Sequence, residues 1–126
     1  MAEAGYELAR TTESFRTTTG TDPYLVPVTM QVFPHGTKTH LTHSVRRRNF
    51  PGLANWLMRH RGSSDMDTIV QQSLDHIRAN GGVLHIWGHS WELERFELWD
   101  DLERLLDALA DHDDLEYVTN AALIPS

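Results

Sequence analysis

Two histidines four residues apart, His85 and His89, lie in the stretch Gly81-Gly82-Val83-Leu84-His85-Ile86-Trp87-Gly88-His89-Ser90-Trp91-Glu92. Val83 to Trp87 is a nearly continuous apolar run after a Gly-Gly turn, which predicts a short buried strand. His89 falls just past its end, beside Gly88, where the missing Cβ lets a ligand approach the backbone closely. In α/β architectures, active sites gather where strands end and helices begin. Histidine is the usual general acid near neutral pH. Alternation puts His85, Trp87 and His89 on one side if the strand stays regular that far. Taken as residue types alone, the plainer reading is that both are core or rim histidines held by hydrogen bonds.

Three further histidines, His35, His40 and His43, could in number hold a catalytic zinc. Their spacings of five and three in a polar loop fix no common face, unlike the one-turn spacing of a helical zinc motif. They read as a histidine-bearing loop. Arg46-Arg47-Arg48 could grip an anionic sugar or phosphate, but on a chain of net charge -7 it reads as an exposed charge cluster. Asp100-Asp101 and Asp113-Asp114 bracket a predicted helix and read as capping and solvated charge. The absence of cysteine excludes thiolate metal sites, disulfides and cysteine nucleophiles.

The elements that must position these groups follow from periodicity and punctuation. Tyr6 to Thr11 reads as a strand, and Leu25 to Phe33 as another with Val26, Val28, Met30 and Val32 on its buried side. The polar stretch 34–49 is predicted to be irregular. A helix is expected over 51–61, with Asn49 as N-cap, Pro51 in the first turn and Gly62 as the stop. Ser63-Ser64-Asp65 opens a second helix, whose Met66, Ile69, Val70, Leu74 and Ile77 share a face, and Asn80-Gly81-Gly82 ends it. After the Val83–Trp87 strand, Phe96, Trp99, Leu102, Leu105, Leu106 and Leu109 mark a third amphipathic helix. Leu115 to Thr119 reads as a last strand. The order, closing on strand–helix–strand, implies an α/β fold with a mainly parallel sheet.

With 126 residues and 40% hydrophobic composition the chain makes one compact domain. Its 18 acidic against 11 basic side chains disfavour nucleic acid or an anionic membrane as partner. No apolar run approaches a membrane span, and the first residues lack the pattern of a signal peptide, so a cytoplasmic location is expected.

The block His85-Ile86-Trp87-Gly88-His89-Ser90-Trp91-Glu92, followed by Trp99, the leucine helix and Tyr117-Val118-Thr119-Asn120, resembles the C-terminal end of a polysaccharide deacetylase, of the NodB-homology family of carbohydrate esterases. Gly5-Tyr6-Glu7-Leu8-Ala9-Arg10-Thr11-Thr12 and Pro27-Val28-Thr29 resemble two of that family's earlier strands. The resemblance implies the C-terminal part of a distorted, incomplete (β/α) barrel over residues 1–126, lacking the N-terminal strands. It implies removal of acetyl groups from sugar polymers by a water activated on a divalent metal, commonly zinc. The late histidine that protonates the leaving group would be His89, with His85 as the alternative. Arg10, Trp87 and Trp91 would line the carbohydrate site.

The family's Thr-Phe-Asp-Asp and His-Ser-x-x-His types of motif, which supply base and metal ligands, do not occur in this sequence. The expectation is therefore a chain that holds no metal and has little activity alone. The alternatives are a non-catalytic carbohydrate-binding module, or a small metal hydrolase built on His35, His40 and His43. Open sheet edges would favour self-association.

Overall fold

The computed structural model describes residues 2–33, 42, 44–46 and 48–123, so the expected site at His35, His40 and His43, and Arg47 of the arginine run, lie outside the described residues. Its regular elements are strand β1 (Met30–Gln31), helix α1 (Phe50–Met58), helix α2 (Met66–Asn80), strand β2 (Ile86–Trp87), helix α3 (Ser90–Arg95) and helix α4 (Trp99–Asp107), with 3-10 turns at Ala2–Ala4 and Asn120–Leu123. Residues 44–46 form a further helical turn inside the stretch expected to be irregular. None of the described helices is long and apolar enough to cross a membrane.

The barrel expectation is overturned. The sheet of the described residues has two strands, paired parallel with Met30 opposite Ile86 and Gln31 opposite Trp87. Tyr6–Thr11 contributes a single bridge, Arg10 to Val26, and 115–119 forms no strand. Each failure has a local cause. Pro27 offers no backbone donor, and Phe15 takes a positive φ of 62°. Segment 9–16 therefore meets 26–32 at separate points: Thr11 N–H to Val26 O, Val28 N–H to Glu13 O and Phe15 N–H to Thr29 O, at 2.8–3.0 Å. Tyr117 turns its hydroxyl back to the end of α4, donating to Leu109 O and accepting from His112 N–H. The tail is thereby fastened to a helix rather than to a sheet edge.

Residues 26–30 are buried on both sides, not on alternate positions as a half-exposed strand would be. Their backbone groups need partners from either flank, and Thr29 supplies the bridge that the missing ladder does not. Its N–H donates to His85 O (3.0 Å) and its carbonyl accepts from Phe15. Its hydroxyl donates to Arg16 O (2.8 Å) and accepts from His85 N–H (3.0 Å). Three segments distant in sequence are joined at one side chain that is 1% exposed.

The helices form where their caps place them. Asn49 accepts from Gly52 N–H (3.0 Å) and, itself buried, donates to Ser14 O (3.0 Å), so the cap of α1 also ties that helix to the extended layer. A Cβ on Gly52 would come within 2.4 Å of Ser14 O, which leaves glycine as the residue that fits. Asp65 caps α2 through Thr68 N–H (2.8 Å). Gly81 ends it at φ 72°, its amide donating to Ile77 O (2.7 Å). Trp56 of α1, 2% exposed, is anchored by its indole N–H on Ser63 O (2.7 Å) and packs on Phe15. Ile69, Val70 and Leu74 of α2 complete the core with Met30 and Val32.

The third predicted helix, marked from Phe96 onward, starts later than its apolar spacing suggests: Glu97 adopts φ 53° and α4 opens only at Trp99, while the short helix α3 before it is not among the expected elements. The buried face then runs through Leu93, Leu98 and Leu105, with Leu102 and Leu109 partly covered, whereas Phe96 and Trp99 are 42% and 48% exposed.

Replacing Thr29 by valine keeps shape but strands the Arg16 carbonyl and the His85 amide. The expected cost is roughly 2–4 kcal/mol, the penalty for two unmet buried groups, measured by urea unfolding. A loss well under 1 kcal/mol would show that the bridge is dispensable.

Candidate functional site

The residues singled out in the sequence separate into two places at the ends of the same short strand. Past β2, the chain turns into α3 with His89 as N-cap residue, its carbonyl accepting from Glu92 N–H (2.9 Å) and Leu93 N–H (3.0 Å). Its imidazole makes no capping bond. Instead it stacks on Trp91, ring centroids 5.6 Å apart and planes 22° from parallel, and meets Trp87 edge-on at 5.1 Å and 87°. His89 is exposed and Trp91 is 57% exposed. The outcome is a flat aromatic surface facing solvent, with Trp87 as the half-buried wall behind it. The indole N–H of Trp87 is buried and has no partner among the described residues. Beneath, Gln31 of β1 donates to the buried Glu92 of α3 (2.8 Å), which holds the strand end against the helix carrying Trp91.

At the other end of β2, His85 lines a half-open groove of about 1020 Å³ between the start of the strand, α2, α4 and the C-terminal segment. Arg10 lines it too. The Arg10 guanidinium is fixed by Asn120 Oδ1, at 3.0 Å from Nε and 2.7 Å from Nη2, and by Pro27 O at 3.0 Å from Nη1. Burial lowers the pKa of Arg10, although an arginine keeps its charge at any ordinary pH. Burial, and then the Arg10 cation, hold the His85 imidazole down to about 4. It is therefore neutral at physiological pH, with a buried Nδ1 that has no hydrogen-bond partner among the described residues.

The geometry thus joins Trp87, His89 and Trp91, and separately joins His85 with Arg10. The groove is not lined by Trp87, His89 or Trp91. Regular strand structure spans residues 86–87 alone, so the one-sided alignment expected of His85, Trp87 and His89 does not extend across the whole run. Thr29, which orients His85, and Asn120, which orients Arg10, carry no local signal of these roles. Their partners are 56 and 110 residues away. The acidic pairs, expected to cap and to be solvated, each have one member that is ion-paired instead: Asp101 meets Arg104 (2.8 Å) and Asp114 meets Arg78 (2.7 Å).

The divalent metal implied by the resemblance does not fit the described residues. No three histidines, aspartates or glutamates among them converge. The one imidazole in the groove has a cation as its charged neighbour, and the groove's Asp114 is bound to Arg78. Compared with protein-family models, curated proteins and solved structures, the chain matches none.

Because His85 has a folded-state pKa below its ordinary 6.5, the unfolded chain takes up that proton first as pH falls. Its contribution to stability is complete above about pH 6.5 and is withdrawn toward pH 4. His85→Gln should shallow that acid-side decline by on the order of 2 kcal/mol, read from urea midpoints across the window. An unchanged pH profile would rule His85 out as a source of it.

Proposed function

We propose that the chain is a carbohydrate-binding domain related to the polysaccharide deacetylases, which takes a sugar chain across the His89–Trp91 surface. The observation that carries this reading is the exposed, near-parallel stack of the His89 and Trp91 rings. Sugar rings present apolar C–H faces and polar rims. They match a broad aromatic plane that combines apolar area with nearby hydrogen-bonding groups. Here the polar groups beside the plane are the imidazole itself and Ser90, also exposed.

A second reading, hydrolysis of acetyl groups on sugar polymers, is favoured by the place of His89. An exposed imidazole at a strand–helix junction, free of a capping bond, can deliver a proton to a leaving amine on a sugar lying over Trp91. His85, neutral and enclosed in the groove beside Arg10, is poorly suited to that donation. Proton delivery is one half of the chemistry. The described residues offer no base and metal set for the other half, so binding is the function proposed for the chain by itself.

Titration with a soluble N-acetylglucosamine oligomer, followed by indole fluorescence, should give saturable binding. Trp91→Ala should weaken it by about tenfold, the worth of one aromatic contact, with Trp91→Phe intermediate. Unchanged affinity in Trp91→Ala would overturn the assignment of this surface. The purified chain should release no acetate from the same oligomer, with or without added zinc. Steady release abolished by His89→Ala would instead establish the hydrolytic reading.

A further inference from the structure

We propose that the Arg10–His85 groove is a binding site for a small amphipathic carboxylate, an aliphatic monocarboxylic acid with its head group on Arg10 and its tail along the apolar wall. This ligand is separate from the sugar chain of the aromatic surface and goes beyond that reading.

Arg10 is the first reason. Among the described residues its donors meet only neutral oxygens, Asn120 Oδ1 and Pro27 O. A partly buried cation without a counter-ion is costly. The chain has 18 acidic residues from which to supply one, yet no carboxylate of the described residues pairs with Arg10. Glu116 lines the groove but makes no ion pair with the described residues. The other cation of the lining, Arg78, is already neutralised by Asp114 at 2.7 Å. One uncompensated positive charge calls for a ligand with one negative charge, which suits a carboxylate better than a phosphate dianion.

His85 is the second reason. The His85 imidazole lines the same groove as Arg10 and is neutral beside that guanidinium, so it can donate one hydrogen bond to a carboxylate's second oxygen without adding a competing charge. The walls are the third. Leu74, Ile77, Leu84, Leu106, Leu109 and Leu115 line the groove, and its volume of about 1020 Å³ is that of a small-molecule site. Tyr117 of the lining has its hydroxyl committed to the end of α4. The chemistry is that of an aliphatic tail rather than a stacked sugar.

Decanoate and decanol, which share a tail and differ in the head group, provide the test on the full chain by calorimetry below the micelle concentration. Decanoate should bind saturably, and decanol at least about tenfold more weakly, the size of one charge-assisted hydrogen bond. Arg10→Gln should bring decanoate to the level of decanol, and Arg10→Lys should restore part of the preference. Asn120→Ala, which removes the same tie from Arg10 but leaves the cation, should keep the preference. Trp91→Ala should leave decanoate binding unchanged, so this result stands or falls independently of sugar binding. Equal affinity for the two probes, no saturable binding, or a preference that survives in folded Arg10→Gln or disappears in Asn120→Ala would each overturn the proposal.

Discussion

The hydroxyl of Thr29 is the contact on which the arrangement of this small protein turns. A buried extended segment needs its peptide groups met on both sides, and here neither neighbour is regular enough to do so by a ladder. One side chain, accepting from His85 N–H and donating to Arg16 O, closes the gap between three pieces of chain. Without it the segment 26–32 would have to open to water or recruit a continuous strand. The same contact sets where the backbone of His85 lies. A structural necessity of the core thereby determines the floor of the groove. From there β2 carries the chain two residues onward to the aromatic surface, so the two candidate binding places are referenced to one anchor.

The charge distribution is less uniform than the net charge of -7 suggests. Carboxylates are spread along the helices, where Asp67 and Asp101 share Arg104. The interior side of the helices instead collects bases. Arg59 reaches His76 at 3.0 Å, and His60, 1% exposed, holds Gln72 at 3.1 Å while its Nε2 finds no partner among the described residues. Burial lowers the pKa of His60 and His76, as it does that of His85. Neutral imidazoles packed near guanidinium groups are tolerated because they carry no charge of their own, a condition that acid removes.

What was legible in the sequence was what is local. Asn49, Asp65 and Gly81 cap helices through bonds to residues three or four positions away, and their types announce it. The clustering of Trp87, His89 and Trp91 was legible for the same reason, since five consecutive residues cannot travel far apart. Parallel pairing carries no comparable local mark: an apolar run of five residues reads as a strand whether or not a partner lies alongside. Leu115–Thr119 has the composition of a strand, and a tyrosine hydroxyl bonded to a helix end decides otherwise. Glu97 at positive φ delays to Trp99 a helix whose apolar spacing reads from Phe96. Arg10 and Asn120 are brought together only by the complete fold, and no spacing rule reaches across that distance.

The parallel register of Met30 on Ile86 has a consequence for how the chain comes to be folded. The most apolar extended segment must wait for a partner that leaves the ribosome more than fifty residues later. Closing so long a loop costs entropy before any pairing repays it. The intervening α1 and α2, each with its own cap, can form early and shorten the effective span. Until β2 arrives, Val26, Val28 and Val32 are bare, and a nascent chain in that interval is open to aggregation. Helix capping at Asn49 and Asp65 therefore serves the timing of assembly as well as the stability of its product.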